Sequence, residues 1–278
     1  MDKKIIPGKS ISKKILKTLE KRVRKLKSKN ITPKMAVILV SDNKASASYV
    51  KHKEIAAKKI GVNFTLYHFK EKISEKSLIK KIKKIQKEDK PNGMIAQLPL
   101  PKHINEVKIL NSIDPKIDID CLTNENLGKI ISRNHKILPP TPDAILSAIK
   151  YTKIDLKGKN IVIIGSGLLV GRPLSVILSN MKATVTLCNS STKNLKKKCL
   201  SADIIISGVG KKHIITKDMV KKDAIVIDAG VSFHKNKMYG DVDIENVIKK
   251  AKFISPTPNG IGPITIAKLL ENLLILTK

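Results

Sequence analysis

The sequence predicts an α/β protein: two α/β domains, each built on a parallel sheet, with a cleft between them. Three observations carry this. Short apolar runs alternate with amphipathic helical patterns through both halves of the 278 residues, an order that makes sheets parallel and packs helices on them. A glycine-rich turn follows the first strand of the second half. Between the halves, Pro99, Pro101, Pro115, Pro139, Pro140 and Pro142 punctuate the chain and set the boundary near residue 138. A proline-rich loop and one bridging helix commonly leave a cleft between domains.

The elements follow in order. Ser10 to Lys27 reads as a helix, with Ile11, Ile15, Leu19, Val23 and Leu26 on one face and Ser10 as its cap. Met35 to Val40 is a buried strand, and Lys44 to Ile60 a helix stopped by Gly61. A strand over Val62 to Phe69, a Lys-rich helix over Ser74 to Gln86 and a strand over Met94 to Gln97 complete the first run; a Pro91-Asn92-Gly93 turn feeds that last strand. A loop through Ile117 to Asn126 separates two short helical patterns, and Asp143 to Tyr151 is the connecting helix. The second run has strands over Asn160 to Ile164, Thr184 to Cys188, Asp203 to Ser207 and Ala224 to Asp228. Its helices start at about Leu174, span Ile244 to Ala251 and run from Thr265 to about Leu276.

Composition narrows the function classes. Hydrophobic residues make up 41%, enough for a packed core. No apolar stretch is long enough to cross a membrane. The first ten residues show no signal-peptide pattern. Cys121, Cys188 and Cys199 form no CxxC pair, and the six histidines have no metal-ligand spacing, so a reducing cytoplasmic setting without disulfides or metal is expected. The net charge is +32, and all but four of the 55 basic residues are lysine. Those lysines are spread along the whole chain, while arginine and stacking aromatics are scarce, which favours a solvated lysine surface over a nucleic-acid face. A basic nucleic-acid-binding protein on the same scaffold stays open as the alternative. Such a field also draws in polyanionic small molecules.

Two segments carry chemistry. Ile161 to Pro173 is a strand, a turn spaced G-x-G-x-x-x-G at Gly165, Gly167 and Gly171, and a helix start. Glycines let backbone approach a pyrophosphate, and a helix N-terminus favours its charge, so this half reads as a Rossmann-like parallel sheet. An NAD site usually places an acid roughly 20 residues after the first glycine. Thr186 to Lys193 holds no acid but offers hydroxyls and a lysine, which favours NADP over NAD. In the first half, Tyr49 and Lys53 are spaced i, i+4 on one helix face, and a desolvated lysine there can do acid–base work; among 51 lysines, an exposed lysine over a half-buried tyrosine is the plainer reading of the pair alone. Gln97-Leu98-Pro99-Leu100-Pro101 falls at the carboxyl end of a strand, where open α/β sheets place ligands. Asp118-Ile119-Asp120 lies in a loop, and a carboxylate there suits the paired N–H groups of a pterin-like ring; a plain turn or cap is the other reading.

Taken together, these motifs resemble the bifunctional methylenetetrahydrofolate dehydrogenase/methenyltetrahydrofolate cyclohydrolase family along nearly the whole chain. The matching pieces, in order, are Y-x-x-x-K at Tyr49 and Lys53, QLPLP from Gln97, D-x-D at Asp118 and Asp120, Pro140-Thr141-Pro142, VGRP at Val170 to Pro173, Gly240-Asp241-Val242, and Pro256 to Thr265. The resemblance implies oxidation of 5,10-methylenetetrahydrofolate with NADP+ and hydrolysis of the product to 10-formyltetrahydrofolate. It implies a folate-binding catalytic domain over 1–137, completed by the helix at 261–278, and an NADP-binding Rossmann domain over 138–260. Lys53 matches the acid–base lysine, Tyr49 the tyrosine packed on folate, Gln97 the lysine's partner and Asp120 the pterin anchor. Leu98, Pro99, Gly262 and Pro263 complete the folate side. Gly165, Ser166, Gly167, Val170, Gly171, Arg172, Ser190, Ser191, Val209 and Gly210 fall on the cofactor side. A homodimer through the Rossmann domain is also implied. The chain departs from the family pattern at Cys121, where glycine is common after D-x-D, and at Gly167, where the usual turn carries an arginine. A dehydrogenase lacking the hydrolytic step is the near alternative.

Overall fold

The computed structural model describes residues 4–40, 43–234 and 237–277. The chain forms two compact units: Lys13–Pro140 with Ile266–Lys278, here called the N-terminal unit, and Met1–Ser12 with Thr141–Thr265, the C-terminal unit.

The N-terminal unit takes most of α1 (Gly8–Lys27), then β1 (Lys34–Val40), α2 (Lys44–Lys59), β2 (Asn63–Phe69), α3 (Glu75–Glu88), β3 (Gly93–Ala96), α4 (Glu106–Leu110) and α5 (Asn124–Ile131). Its sheet is parallel, in the order β2-β1-β3. Six of the seven residues of the central strand β1 are buried, which is why it reads in sequence as one apolar run. Leu19 and Val23 of α1, Val50 and Ala57 of α2, and Leu269, Leu270 and Leu273 from the last helix of the chain pack into one core with β1. On α3, Leu78, Ile82 and Ile85 are buried at helical spacing, and the Ser74 hydroxyl caps the helix by accepting from the Ser77 amide. Gly61 ends α2 at φ +89°, a left-handed conformation that suits glycine.

The C-terminal unit contains most of α6 (Pro140–Tyr151), β4 (Asn160–Ile164), α7 (Gly171–Asn180), β5 (Thr184–Cys188), α8 (Leu195–Leu200), β6 (Ile204–Ser207), a short 3-10 turn, β7 (Ile225–Asp228), a hairpin of β8 (Ser232–His234) and β9 (Lys237–Tyr239), α9 (Ile244–Val247), β10 (Phe253–Ile254) and the start of α10 (Ile261–Leu276). Five parallel strands lie in the order β10-β7-β6-β4-β5. The chain steps from β4 to one side for β5 and to the other for β6. The ends of β4 and β6 are therefore a topological switch point, the place where such sheets bind ligands.

Several expectations need correction. α1 starts at Gly8 rather than after a Ser10 cap: Pro7 precedes it, its carbonyl takes the Ile11 amide, and Gly8 lies against the Gly260 backbone, where a Cβ would collide. α6 starts at Pro140, since proline suits a first helical turn. α7 starts at Gly171, not near Leu174, and α10 at Ile261, not Thr265. α9 stops at Val247 because the chain then closes through i→i−3 bonds at Lys249 and Lys250. α8, the β8–β9 hairpin and β10 are additional elements.

Candidate active site

Ser46, Val50, Lys53 and Ala57 form the buried face of α2. Lys53 therefore shares a helix stripe with core residues and is only 9% exposed. A buried ammonium is costly unless it finds a partner. Its Nζ donates to Oε1 of Gln97 at 2.9 Å. Gln97 follows β3, and its own amide continues the sheet by bonding the Ile38 carbonyl. Its side-chain Nε2 donates to the Leu98 carbonyl at 2.7 Å, which turns the amide oxygen toward Lys53. A neutral acceptor orients the amine without adding charge. Burial pushes the Lys53 ammonium below the usual lysine range, and the Asp120 carboxylate acts in the opposite direction. Tyr49, one turn earlier on α2, is half-buried, and burial pushes its phenol up.

The D-x-D segment runs beside β3. The Met94 amide bonds the Ile117 carbonyl, and Met94 pairs with Asp118 in a parallel bridge. Asp118 is nearly fully buried, and one of its oxygens, Oδ2, accepts from the Leu122 and Thr123 amides and from Asn126 Nδ2. From α10, the buried Asn272 amide donates to the carbonyls of Ile119 and Leu138. The loop is thus held on both sides of Asp120. Among the described residues, no donor is hydrogen-bonded to the Asp120 carboxylate, which keeps part of its surface open. Burial pushes it up to about 6, with Lys53 pulling it down and Asp118 pushing it further up. Cys121, next along, is buried at φ +57°, a left-handed conformation that explains why glycine serves well at this point. The Leu98–Pro99 bond is cis; Leu98 is half-buried and Pro99 exposed.

The glycine turn lies in the C-terminal unit. Gly165 leaves β4 at φ +106°, and a Cβ there would stand 2.9 Å from the Gly208 carbonyl oxygen of the turn after β6. A Cβ on Gly171 would run into the Gly165 carbonyl, so the first residue of α7 has to lack a side chain for the turn to close this tightly. Gly167 has open space around its Cα. Val170 precedes α7 without a side-chain cap, and Ser166 and Arg172 flank the helix start, Arg172 exposed. Ser190 and Ser191 are exposed after β5, in a turn closed by the Asn189 side chain on the Ser191 amide. Val209 and Gly210 are exposed after β6. These groups stand at the carboxyl ends of three adjacent strands, around a glycine-lined turn, with hydroxyls and no acid beside β5. They fit a nicotinamide dinucleotide bearing a 2′-phosphate. Gly262 and Pro263 stand in the first turn of α10, within the C-terminal unit, whereas Lys53, Gln97 and Asp120 belong to the N-terminal one. Among the described residues no cluster of candidate metal ligands occurs. Nor is any helix there long and apolar enough to cross a membrane.

No role for Asn272, Ser207, Asp228 or Asp241 follows from the sequence alone. Gly240-Asp241-Val242 was visible as a motif, but its partners lie far away in the chain.

A glycine turn of dinucleotide type on a five-stranded parallel sheet, together with a buried lysine–glutamine pair, defines the class: a two-domain α/β protein with a nucleotide-type site. The model of the tetrahydrofolate dehydrogenase/cyclohydrolase catalytic domain matches residues 6–120, and that of the family's NAD(P)-binding domain matches 139–278. The chain is 45% identical over 269 residues to the bifunctional protein FolD of Nautilia profundicola, covering 96% of this chain and 95% of that one. Among solved structures it is similar to the bifunctional FolD methylenetetrahydrofolate dehydrogenase/cyclohydrolase of Campylobacter jejuni, at 40% identity and TM-score 0.95, covering 98% of each chain. It is also similar to the Trypanosoma brucei enzyme complexed with NADP cofactor and inhibitor, at 30% identity and TM-score 0.94, covering 98% of this chain and 96% of that one. The chain belongs to the tetrahydrofolate dehydrogenase/cyclohydrolase family. The nucleic-acid-binding alternative is not supported.

Proposed function

We propose that this protein oxidises 5,10-methylenetetrahydrofolate to the 5,10-methenyl cation with NADP+, then hydrolyses that cation to 10-formyltetrahydrofolate. The observation that carries the reading is the buried Lys53 Nζ, held 2.9 Å from Gln97 Oε1.

Gly165, Ser166, Gly167, Val170, Gly171, Arg172, Ser190, Ser191, Val209 and Gly210 would hold the nucleotide. NADP+, when bound, accepts the hydride that leaves the folate methylene carbon. The protein's share of that step is positioning, because the folate nitrogen lone pair already stabilises the cation. Asp120, its carboxylate open, anchors the pterin ring by accepting from its N–H groups. Tyr49 packs on the folate, and Leu98, Pro99, Gly262 and Pro263 complete its contacts.

Hydrolysis needs proton transfers. Water adds to the cationic carbon and gives a proton to the Lys53 amine. Lys53 returns it to the folate ring nitrogen as the carbon–nitrogen bond breaks, and the hydroxyl proton leaves as the formyl C=O forms. The lowered lysine pKa eases both directions. Gln97 keeps the amine aimed. The intact Tyr49, Lys53 and Gln97 set favours both activities over a dehydrogenase alone.

The division into a folate domain over 1–137 with 261–278 and an NADP domain over 138–260 belongs to the same reading. So do a cytoplasmic setting, a role in one-carbon metabolism and purine biosynthesis, and a homodimer. β5 supports the dimer: it is an edge strand that leaves Leu187 exposed.

Lys53→Met is expected to lower cyclohydrolase turnover at least about 100-fold while folate binding stays measurable. Conversion of methenyltetrahydrofolate is followed by its absorbance. Full turnover in that variant would refute the role given to Lys53.

A further inference from the structure

Two carboxylates in the C-terminal unit are buried and lie outside every role given so far. Asp241, from the Gly240-Asp241-Val242 motif, is fully buried, and Asp228, the last residue of β7, nearly so. Asp241 Oδ2 accepts from the Ser207 hydroxyl and from the Val209 amide, both at 2.7 Å. Its Oδ1 accepts from the Lys211 amide at 2.7 Å. Asp228 in turn holds Asp241: its Oδ1 accepts from the Gly230 amide at 3.0 Å and the Asp241 amide at 3.1 Å, and its Oδ2 from the Val242 amide at 3.2 Å. Ser255 Oγ takes the Asp228 amide at 2.7 Å and so joins the strand that leads to α10.

Glycines make room for both groups. A Cβ on Gly230 would collide with the Asp241 carboxylate, and one on Gly240 with the Asp228 carboxylate. The arrangement is therefore a built one, with no slack around either acid.

Its consequence lies in the turn after β6. Asp241 draws the amides of Val209 and Lys211 inward, and the Val209 side chain and Gly210 are left exposed. The same turn touches the glycine turn after β4. Gly208 bonds the Ile164 carbonyl at 3.0 Å, and its Cα faces Val170. Of the three donors, the Val209 amide belongs to the proposed nucleotide site, and Ser207 and Lys211 fix the turn on either side of Val209 and Gly210. The Asp241 oxygens are filled by the protein, so its action on a ligand is indirect.

We infer that Asp241 is a positioning residue for the nicotinamide nucleotide: its carboxylate sets the turn from Ser207 to Lys211 in the shape that holds NADP(H). The inference rests on the nucleotide reading above and assigns a residue that the reading leaves out. Replacing the carboxylate by an amide keeps one acceptor and places an N–H₂ group against the remaining backbone donors, so the turn loosens.

The test is equilibrium binding of NADPH to Asp241→Asn, followed by nucleotide fluorescence. The dissociation constant is expected to rise about tenfold. Turnover at saturating NADP+ and nucleotide-free cyclohydrolase turnover, which depends on Lys53, stay within about twofold of the parent. Unchanged NADPH affinity would overturn the inference, and so would an equal loss of cyclohydrolase activity, because that marks general damage. If the amide variant does not fold, Ser207→Ala removes one donor and leaves the carboxylate. A roughly threefold weaker affinity supports the inference and no change overturns it. Failure of the parent protein to bind NADPH would overturn the nucleotide reading itself, an outcome distinct from a normal parent with an unaffected variant.

Discussion

Asp120 and Asp241 make an instructive pair. Each sits in a tight loop beside a parallel sheet, one in each unit. Asp241 spends both oxygens on its own protein, accepting three hydrogen bonds from Ser207, Val209 and Lys211. Asp120 accepts none from the described residues, although its neighbour Asp118, two positions away, accepts three. The loop around Asp120 is fastened at Asp118 and by Asn272, so the open carboxylate is supported without being used. A buried acid filled by backbone amides shapes a loop. One left open on a fastened loop is free to receive a ligand, and it bears a desolvation cost until the ligand arrives.

Separating the two acids of the D-x-D motif sharpens this contrast most. Asp120→Asn is expected to lower kcat/KM for the folate roughly 100-fold, the loss of about two charge-assisted hydrogen bonds, with the denaturation midpoint held or raised. Asp118→Asn should do the reverse: a cost of about 1–2 kcal/mol in stability, read in urea, and a smaller kinetic effect. If Asp118→Asn proves as damaging to kcat/KM as Asp120→Asn while remaining stable, the distinction between filled and open acids fails.

A smaller effect follows from pH. The Asp120 carboxyl is pushed up to about 6, above the value of 3.8 that it has in an unfolded chain. Between those values the folded protein holds more protons at this site than the unfolded one, so its contribution to stability falls as pH rises through 6. Asp120→Asn removes that dependence. Without ligand, the variant should gain roughly 2 kcal/mol on the parent between pH 4 and pH 7, measured as the difference between their urea midpoints. Parallel stability curves would show that the open carboxylate bears no desolvation cost.

What the sequence made legible follows the range of each interaction. β1, β4, β6 and β7 contain buried runs of four to six residues, and such runs stand out in any apolar profile. α7 and α10 start earlier than their apolar pattern because their first turns are set by backbone packing at Gly171 and Gly260, not by side chains. β10 has two residues and α8 six, too few for a period to show. At the site, Tyr49 and Lys53 were linked by helix spacing alone. The partnership of Lys53 with Gln97 spans 44 residues and that of Ser207 with Asp241 spans 34, and no local pattern reports either. The first came from family resemblance. The second needed the structure.

The three cysteines, all buried, also decide how the protein can be studied. Burial pushes all three thiols up, Cys199 to about 12. Thiolate is the form that reacts, so near neutral pH an aromatic disulfide reagent should find no fast-reacting thiol in the native protein and three after unfolding. Rapid labelling of any native cysteine would contradict this. The chain then offers a silent background for attached probes. Gly128 on α5 is exposed, with open space where a Cβ would go, so Gly128→Cys would place a single fluorophore or spin label on the N-terminal unit with every native cysteine left in place.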